Sequence, residues 1–219
     1  MPVEKKSEDM KVEICKVLDR IGALKFGAFK LTSGKMSPYY IDLRIVPSFP
    51  DSFQTVCDSY VRFIKTEIGT DNVDRIAGIP VAGIPFASVV AFNLRKPFLY
   101  ARRGARHHGR ERRIEGVIAP GNRVLLLDDL VTTGLSLQKA AKAIVAEGGV
   151  VTDCVVLINR QEGGKERLEK NAIKLHALLS ITEIAGTLHE LGAIDEDQLK
   201  TILKQVKKKQ EKAESKSGQ

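Results

Sequence analysis

The chain has 219 residues, 43% of them hydrophobic and 28% charged, with a formal net charge of +8. That apolar content supplies one core of ordinary size and excludes a chain too polar to fold. The charge is concentrated: residues 102–113 carry six Arg and one Glu, net +5, and residues 204–219 carry six Lys and two Glu, net +4, so the remainder sums to −1. One basic loop and one basic tail on a near-neutral body fit a small polyanionic substrate better than a duplex-binding face, and neither segment holds Phe, Tyr or Trp. Nucleic acid is therefore not the expected partner.

In chain order, residues 8–24 read as an amphipathic helix and the Phe29 to Leu43 region as a β-hairpin turning at Ser33-Gly34. Pro50-Asp51 opens a helix bearing Phe53, Val56, Cys57, Tyr60, Val61 and Ile64, which runs to Gly69. Ile76 to Ile79 starts a sheet, followed by helix 83–94, strand 97–101, the arginine-rich loop, strand 123–127, helix 135–147, strand 150–158 and a short strand near 173–178. Residues 76–94 are uncharged, yet Gly78, Pro80, Gly83 and Pro85 break them into strand, loop and helix; no membrane span is expected. The last helix starts near Asp195, where Asp195 and Gln198 can form a capping box, and its stripe is Leu199, Ile202, Leu203 and Val206. Residues 207–219 have nothing to bury and read as a basic disordered tail.

Cys15, Cys57 and Cys154 are odd in number and lack a C-x-x-C spacing. Neither a disulfide framework nor a structural zinc site follows, and a reducing cytoplasm is the expected location. The charged residues 1–11 lack the apolar centre of an export signal. His176 and His189 fall on regular elements and are read as structural.

The chemistry is concentrated in residues 124–136. Val124 to Leu127 is an apolar run suited to a central parallel strand covered on both faces, and ligands of open α/β sheets sit beyond the carboxyl ends of such strands. Asp128 and Asp129 stand at that edge. Thr132, Thr133, Gly134, Leu135 and Ser136 then offer hydroxyls, main-chain N–H groups and the start of a helix whose stripe, Leu137, Ala140, Ala141 and Ile144, stops at Gly148-Gly149. A phosphate fits the turn, while the carboxylates suit sugar hydroxyls or hydrated Mg²⁺. A P-loop is excluded, because Gly163-Gly164-Lys165 has neither the spacing nor the hydroxyl of Gly-x-x-x-x-Gly-Lys-Ser/Thr.

This stretch resembles the phosphoribosyl-pyrophosphate (PRPP) motif of type I phosphoribosyltransferases. Three further blocks are similar to the orotate phosphoribosyltransferases: Phe26 to Arg44, with its Ser33-Gly34 and Ser37-Pro38-Tyr39 core, Arg102 to Gly109, and Asn159 to Gly164. The resemblance implies an α/β type I phosphoribosyltransferase fold, a central mostly parallel sheet flanked by helices with an N-terminal hood and a mobile basic loop. It implies a single domain over 1–206, with hood 8–45, PRPP-binding core 50–180 and C-terminal helices 181–206. The implied reaction joins PRPP and orotate to give orotidine 5′-monophosphate and pyrophosphate.

By the same resemblance, PRPP falls to Asp128, Asp129, Leu130, Val131, Thr132, Thr133, Gly134, Leu135 and Ser136. Gly78 to Pro85 lines pyrophosphate, and Arg102, Arg103, Arg106 and His108 contact it as it leaves. Orotate falls to Arg160, Thr132, Tyr39 and Tyr40. Mg²⁺ is the expected cofactor, held by Asp128 and Asp129 through water, and a homodimer sharing loop 102–113 is the expected assembly. This chain departs from the family at several positions. Thr32 stands where many relatives have Lys, leaving Lys30, Lys35 or no lysine to compensate; Lys35 is favoured. Arg103 and Arg106 stand where lysines are common and Gly104 where an acid is common. Arginine is a poor proton donor, with a pKa of about 12 or higher, so loop proton transfer falls to His108. Asn159 replaces an Asp before Arg160 and bears on how that arginine is held. A purine phosphoribosyltransferase and a non-catalytic PRPP- or RNA-binding regulator are the competing readings.

Overall fold

The computed structural model describes residues 3–30, 36–102 and 113–215. Its elements are α1 (Val3–Arg20), β1 (Leu24–Lys30), β2 (Met36–Ile41), a 3₁₀ turn (Leu43–Ser48), α2 (Pro50–Phe63), β3 (Arg75–Gly78), α3 (Gly83–Asn93), β4 (Phe98–Ala101), β5 (Ile114–Glu115), β6 (Val124–Val131), α4 (Leu135–Ala146), β7 (Asp153–Asn159), α5 (Gly164–Glu169), β8 (Lys174–Ser180), α6 (Ile181–Glu190) and α7 (Glu196–Ser215). They fall into two units, residues 1–56, 160–162 and 179–219, and residues 57–159 and 163–178.

The second unit is built on a six-stranded sheet of order β5-β4-β3-β6-β7-β8. β4, β3, β6 and β7 are parallel neighbours, and the two-residue β5 is antiparallel to its partner β4. β6 and β7 are central and almost wholly buried, which is why they read as continuous apolar runs rather than alternating ones. One face of the sheet meets α4: Val124, Leu126, Cys154 and Val156 pack with Leu137, Ala140, Ala141 and Ile144. α3 packs on β3 and β6 through buried Phe86, Ala87 and Val90. Burial of this kind stabilises by about 1.5–3 kcal/mol per large aliphatic side chain before entropy is counted.

β6 runs further than its apolar stretch predicts. Its pairing with β3 stops at Gly78 opposite Leu127, whereas its pairing with β7 continues through Leu130 opposite Ile158 and Val131 opposite Asn159. Asp128 and Asp129 are thus inside the strand, where one neighbour has already ended. Two short elements, β5 and α5, have no counterpart in the sequence reading.

In the first unit, β1 and β2 form an antiparallel hairpin whose register slips between Phe26 and Phe29, at Gly27 with φ of +145°. α1 starts at Val3 and ends before Gly22, whose left-handed φ of +69° suits glycine. α6 opens on a complete capping box between Ser180 and Glu183. α7 has the box expected from Asp195: its carboxylate accepts from Gln198 N at 2.8 Å, and Gln198 Oε1 accepts from Asp195 N at 2.9 Å. The helix continues past residue 206 to Ser215, where composition alone predicts a disordered tail. No helix among the described residues is long and apolar enough to cross a membrane.

Candidate active site

In the second unit the turn Thr132 to Ser136 is held from behind. Gly134 caps α4 in a left-handed conformation, φ +73°, and presents the helix's first N–H groups, which have no acceptor within the helix. Thr133, Leu135 and Ser136 are exposed and Thr132 half-buried. A Cβ on Gly134 would stand 2.9 Å from Gly164 O, and one on Gly164 would stand 2.8 Å from Thr132 O. The turn and the start of α5 therefore meet backbone to backbone, which only two glycines permit.

Asp128 is 8% exposed. Its Oδ1 accepts from Asp129 N at 3.0 Å, and its main-chain carbonyl accepts from the Tyr60 hydroxyl at 2.7 Å. Burial, and then the neighbouring Asp129 carboxylate, push the Asp128 carboxyl well above the ordinary range. Such a pair gains from hydroxyl donors or a cation. No three His, Cys, Asp or Glu side chains among the described residues cluster tightly enough to hold a metal by themselves. Two carboxylates whose remaining ligands come from substrate and water are, however, the usual provision for Mg²⁺, so the residues fit that ion.

The loop after β3 approaches the same carboxylate. Its Pro80–Val81 peptide is cis, and Val81 is exposed. Gly83 packs so closely that a Cβ would lie 2.7 Å from Asp128 Oδ1 and 2.9 Å from Leu127 O. Arg102, at the end of β4, pairs with Glu115 of β5 at 2.6 Å, and its N–H donates to Arg113 O at 2.8 Å. Both ends of the basic loop are thereby tied together. Arg103, Arg106 and His108 lie outside the described residues, as do Thr32 and Lys35.

In the first unit, the turn Arg160 to Glu162 holds the second group of candidates. Gln161 at its centre has φ of +56°, a conformation few non-glycine residues adopt. The Arg160 guanidinium lies 5.0 Å over the Tyr39 ring, and its Nη2 is 3.1 Å from Glu162 Oε1. Both charged side chains are deeply placed, 11% and 14% exposed. The contact is an ion pair without hydrogen-bond geometry: among the described residues, buried Nε and Nη2 of Arg160 have no acceptor in hydrogen-bond geometry. Tyr39 itself is 1% exposed. Tyr40 is half-buried, its ring 5.9 Å from that of Phe29 and its hydroxyl accepting from Arg44 Nη2 at 3.0 Å.

Residues 53–178 match the model of the phosphoribosyl transferase domain. An orotate phosphoribosyltransferase of Cenarchaeum symbiosum is 42% identical over 83% of this chain and 90% of its own length. The chain belongs to the phosphoribosyl transferase family, among the orotate phosphoribosyltransferases. Another family member, the orotate phosphoribosyltransferase of Saccharolobus solfataricus, is 41% identical over 86% of this chain and 94% of its own. Among solved structures, UMP synthase of Leishmania donovani superposes with a TM-score of 0.80 at 32% identity, covering 90% of this chain and 42% of that longer one. The phosphoribosyl transferase match covers β3 to β7, the two carboxylates, the turn Thr132 to Ser136, and also Arg160.

Sequence reasoning missed three contributors. Tyr60 sits in the apolar stripe of α2, and its only signal is a hydroxyl on an otherwise buried face. Gly164 was visible only as part of a turn. Lys209, whose Nζ donates to Glu162 Oε1 at 2.5 Å, lay in what read as a solvated tail.

Proposed function

We propose that this chain transfers the 5-phosphoribosyl group of PRPP to orotate, giving orotidine 5′-monophosphate and pyrophosphate in pyrimidine biosynthesis. The observation that carries the proposal is the sequence of groups along β6 and into α4: two carboxylates, one deeply buried, then a left-handed glycine opening a helix N-terminus. The 5′-phosphate is assigned to the N–H groups and hydroxyls of Thr132 to Ser136, with Leu130 and Val131 carrying the backbone into that turn. Ribose hydroxyls are assigned to Asp128 and Asp129, which accept their hydrogen bonds. Mg²⁺ bound there through water would offset the negative charge of the pyrophosphate group.

As the C1–O bond breaks, positive charge develops on the ribose ring and negative charge on pyrophosphate; a ring nitrogen of orotate bonds to C1 and gives up its proton, which passes by way of His108 to the departing pyrophosphate. Arg102, Arg103, Arg106 and His108 are assigned to the departing pyrophosphate, with the 78–85 loop lining it. Arg102 must exchange Glu115 for that anion. Fixed donors aimed at developing charge do most of the work in such a step. Arg160 is assigned to the orotate carboxylate, supported by its buried donors without acceptors. Thr132 and Tyr40 are assigned to the pyrimidine, Tyr39 to the support of Arg160, and Lys35 to the charge that Thr32 does not supply.

A homodimer sharing loop 102–113 and a cytoplasmic location complete the proposal; three buried free thiols suit a reducing compartment. The test is the loss of orotate absorbance on adding PRPP, with and without Mg²⁺, beside adenine and hypoxanthine. Mg²⁺-dependent loss with orotate alone is expected. Turnover of a purine instead, or of neither, would reject the assignment.

A further inference from the structure

Arg160 is the guanidinium assigned above to the substrate carboxylate, and what surrounds it is unusual for a buried cation. A guanidinium does not lose its proton in a protein, so burial obliges it to find an anion. The anion within reach is Glu162, yet the same oxygen, Oε1, accepts from Lys209 Nζ of α7 at 2.5 Å while standing 3.1 Å from Arg160 Nη2. One carboxylate oxygen thus faces two cations. Lys209 takes the hydrogen bond and Arg160 the ion pair, its Nε and Nη2 left as buried donors without acceptors among the described residues. The Tyr39 ring supports the guanidinium from beneath at 5.0 Å.

We propose that Lys209 and Glu162 are positioning residues for orotate: Lys209 holds the Glu162 carboxylate back from a two-pronged closure on Arg160, so that the guanidinium's buried donors are kept for the carboxylate of the substrate. Planar two-bond pairing is the arrangement Arg and a carboxylate otherwise adopt. Without Lys209, Glu162 turns its full face to Arg160 and competes with the substrate as an internal stand-in for its carboxylate. The last turns of α7 thereby set affinity for one substrate without touching it.

The inference rests on the reading of Arg160 given above, and the test separates the two. Steady-state kinetics are measured for the wild-type protein, Lys209→Met, Lys209→Arg and the double variant Lys209→Met/Glu162→Gln, varying orotate and PRPP in turn. Lys209→Met should raise the orotate KM about tenfold while kcat and the PRPP KM stay within about twofold. Lys209→Arg, which retains the cation, should lie near wild type. Adding Glu162→Gln should recover most of the orotate KM lost in Lys209→Met, because the competing charge is gone. An unchanged orotate KM in Lys209→Met, a parallel change in both KM values and kcat, or no recovery in the double variant would each overturn the proposal. Wild-type protein that fails to turn over orotate rejects the assignment of Arg160 and with it this proposal; an active wild type with an indifferent Lys209→Met rejects the positioning role alone.

Discussion

The hydroxyl of Tyr60 donates to the main-chain carbonyl of Asp128 at 2.7 Å, from a helix 68 residues earlier in the chain. Burial, with Asp129 and Asp128 adding to it, holds the phenol well above its ordinary pKa, so it is a permanent donor. Tyr60→Phe keeps the ring contact with Phe86 and removes the hydroxyl with that bond. The expected loss is about 1–2 kcal/mol of stability, read as a lower thermal midpoint, together with a several-fold rise in the PRPP KM.

Asp128→Asn removes a buried carboxylate that stands next to a second one, Asp129. Relief of that burial should raise the thermal midpoint at neutral pH by a few degrees, corresponding to about 1 kcal/mol. Turnover should fall by about a hundredfold or more, since the group assigned above to the ribose hydroxyls and Mg²⁺ is lost. A midpoint that falls would show that the carboxylate is satisfied by a partner in the free protein.

Gly164→Ala places a methyl 2.7 Å from Val131 Cγ2 and 2.8 Å from Thr132 O. Backbone must shift to admit it, at a cost of about 1–3 kcal/mol. The displaced turn is the one assigned to the 5′-phosphate, so the PRPP KM should rise more than the orotate KM. Equal effects on both would point to general loosening instead.

Arg123 grips Asp74 through Nε and Nη2 at 3.1 and 2.8 Å and adds its own N–H at 2.8 Å, joining the segment before β3 to the start of β6. These bonds hold the Asp74 carboxyl below the ordinary range. Because the folded value is the lower one, the contribution is present above the ordinary carboxylate pKa of about 4 and is lost as pH falls through the folded value. Asp74→Asn should therefore melt earlier than wild type at neutral pH, and the gap should close in strong acid. A gap that is constant with pH would assign the effect to shape rather than charge.

All three cysteines are buried, and burial pushes the Cys15 and Cys57 thiols up to about 12 and Cys154 higher still. The native protein should react with an aromatic disulfide reagent at none of them within minutes, and at all three once unfolded. Rapid reaction of any one in native protein would mark local opening at that site.

The cradle was legible because its parts are contiguous: strand, carboxylates, turn and helix follow one another from Val124 to Ile144, and each has a local physical signature. The same holds for the Asp195–Gln198 box, whose two partners are three residues apart. What the sequence did not disclose depends on partners far away in the chain. Nothing near Lys209 marks it as different from its neighbouring lysines; its partner Glu162 is 47 residues distant. β5 is two residues long and exists only through pairing with β4. The end of β6 was misplaced at Leu127 because charge interrupts the apolar run, whereas pairing with β7 carries the strand on to Val131.

Arg160 and Gly164 are four positions apart, the one assigned to the base and the other packed against the turn assigned to the 5′-phosphate. A lineage, or an engineer, seeking a different base by rewriting this short stretch would alter the grip on the ribose donor at the same time. Changes of acceptor should therefore be sought in substitutions that conserve its length and its final glycine, and grafts that insert even one residue there should lose both substrates together.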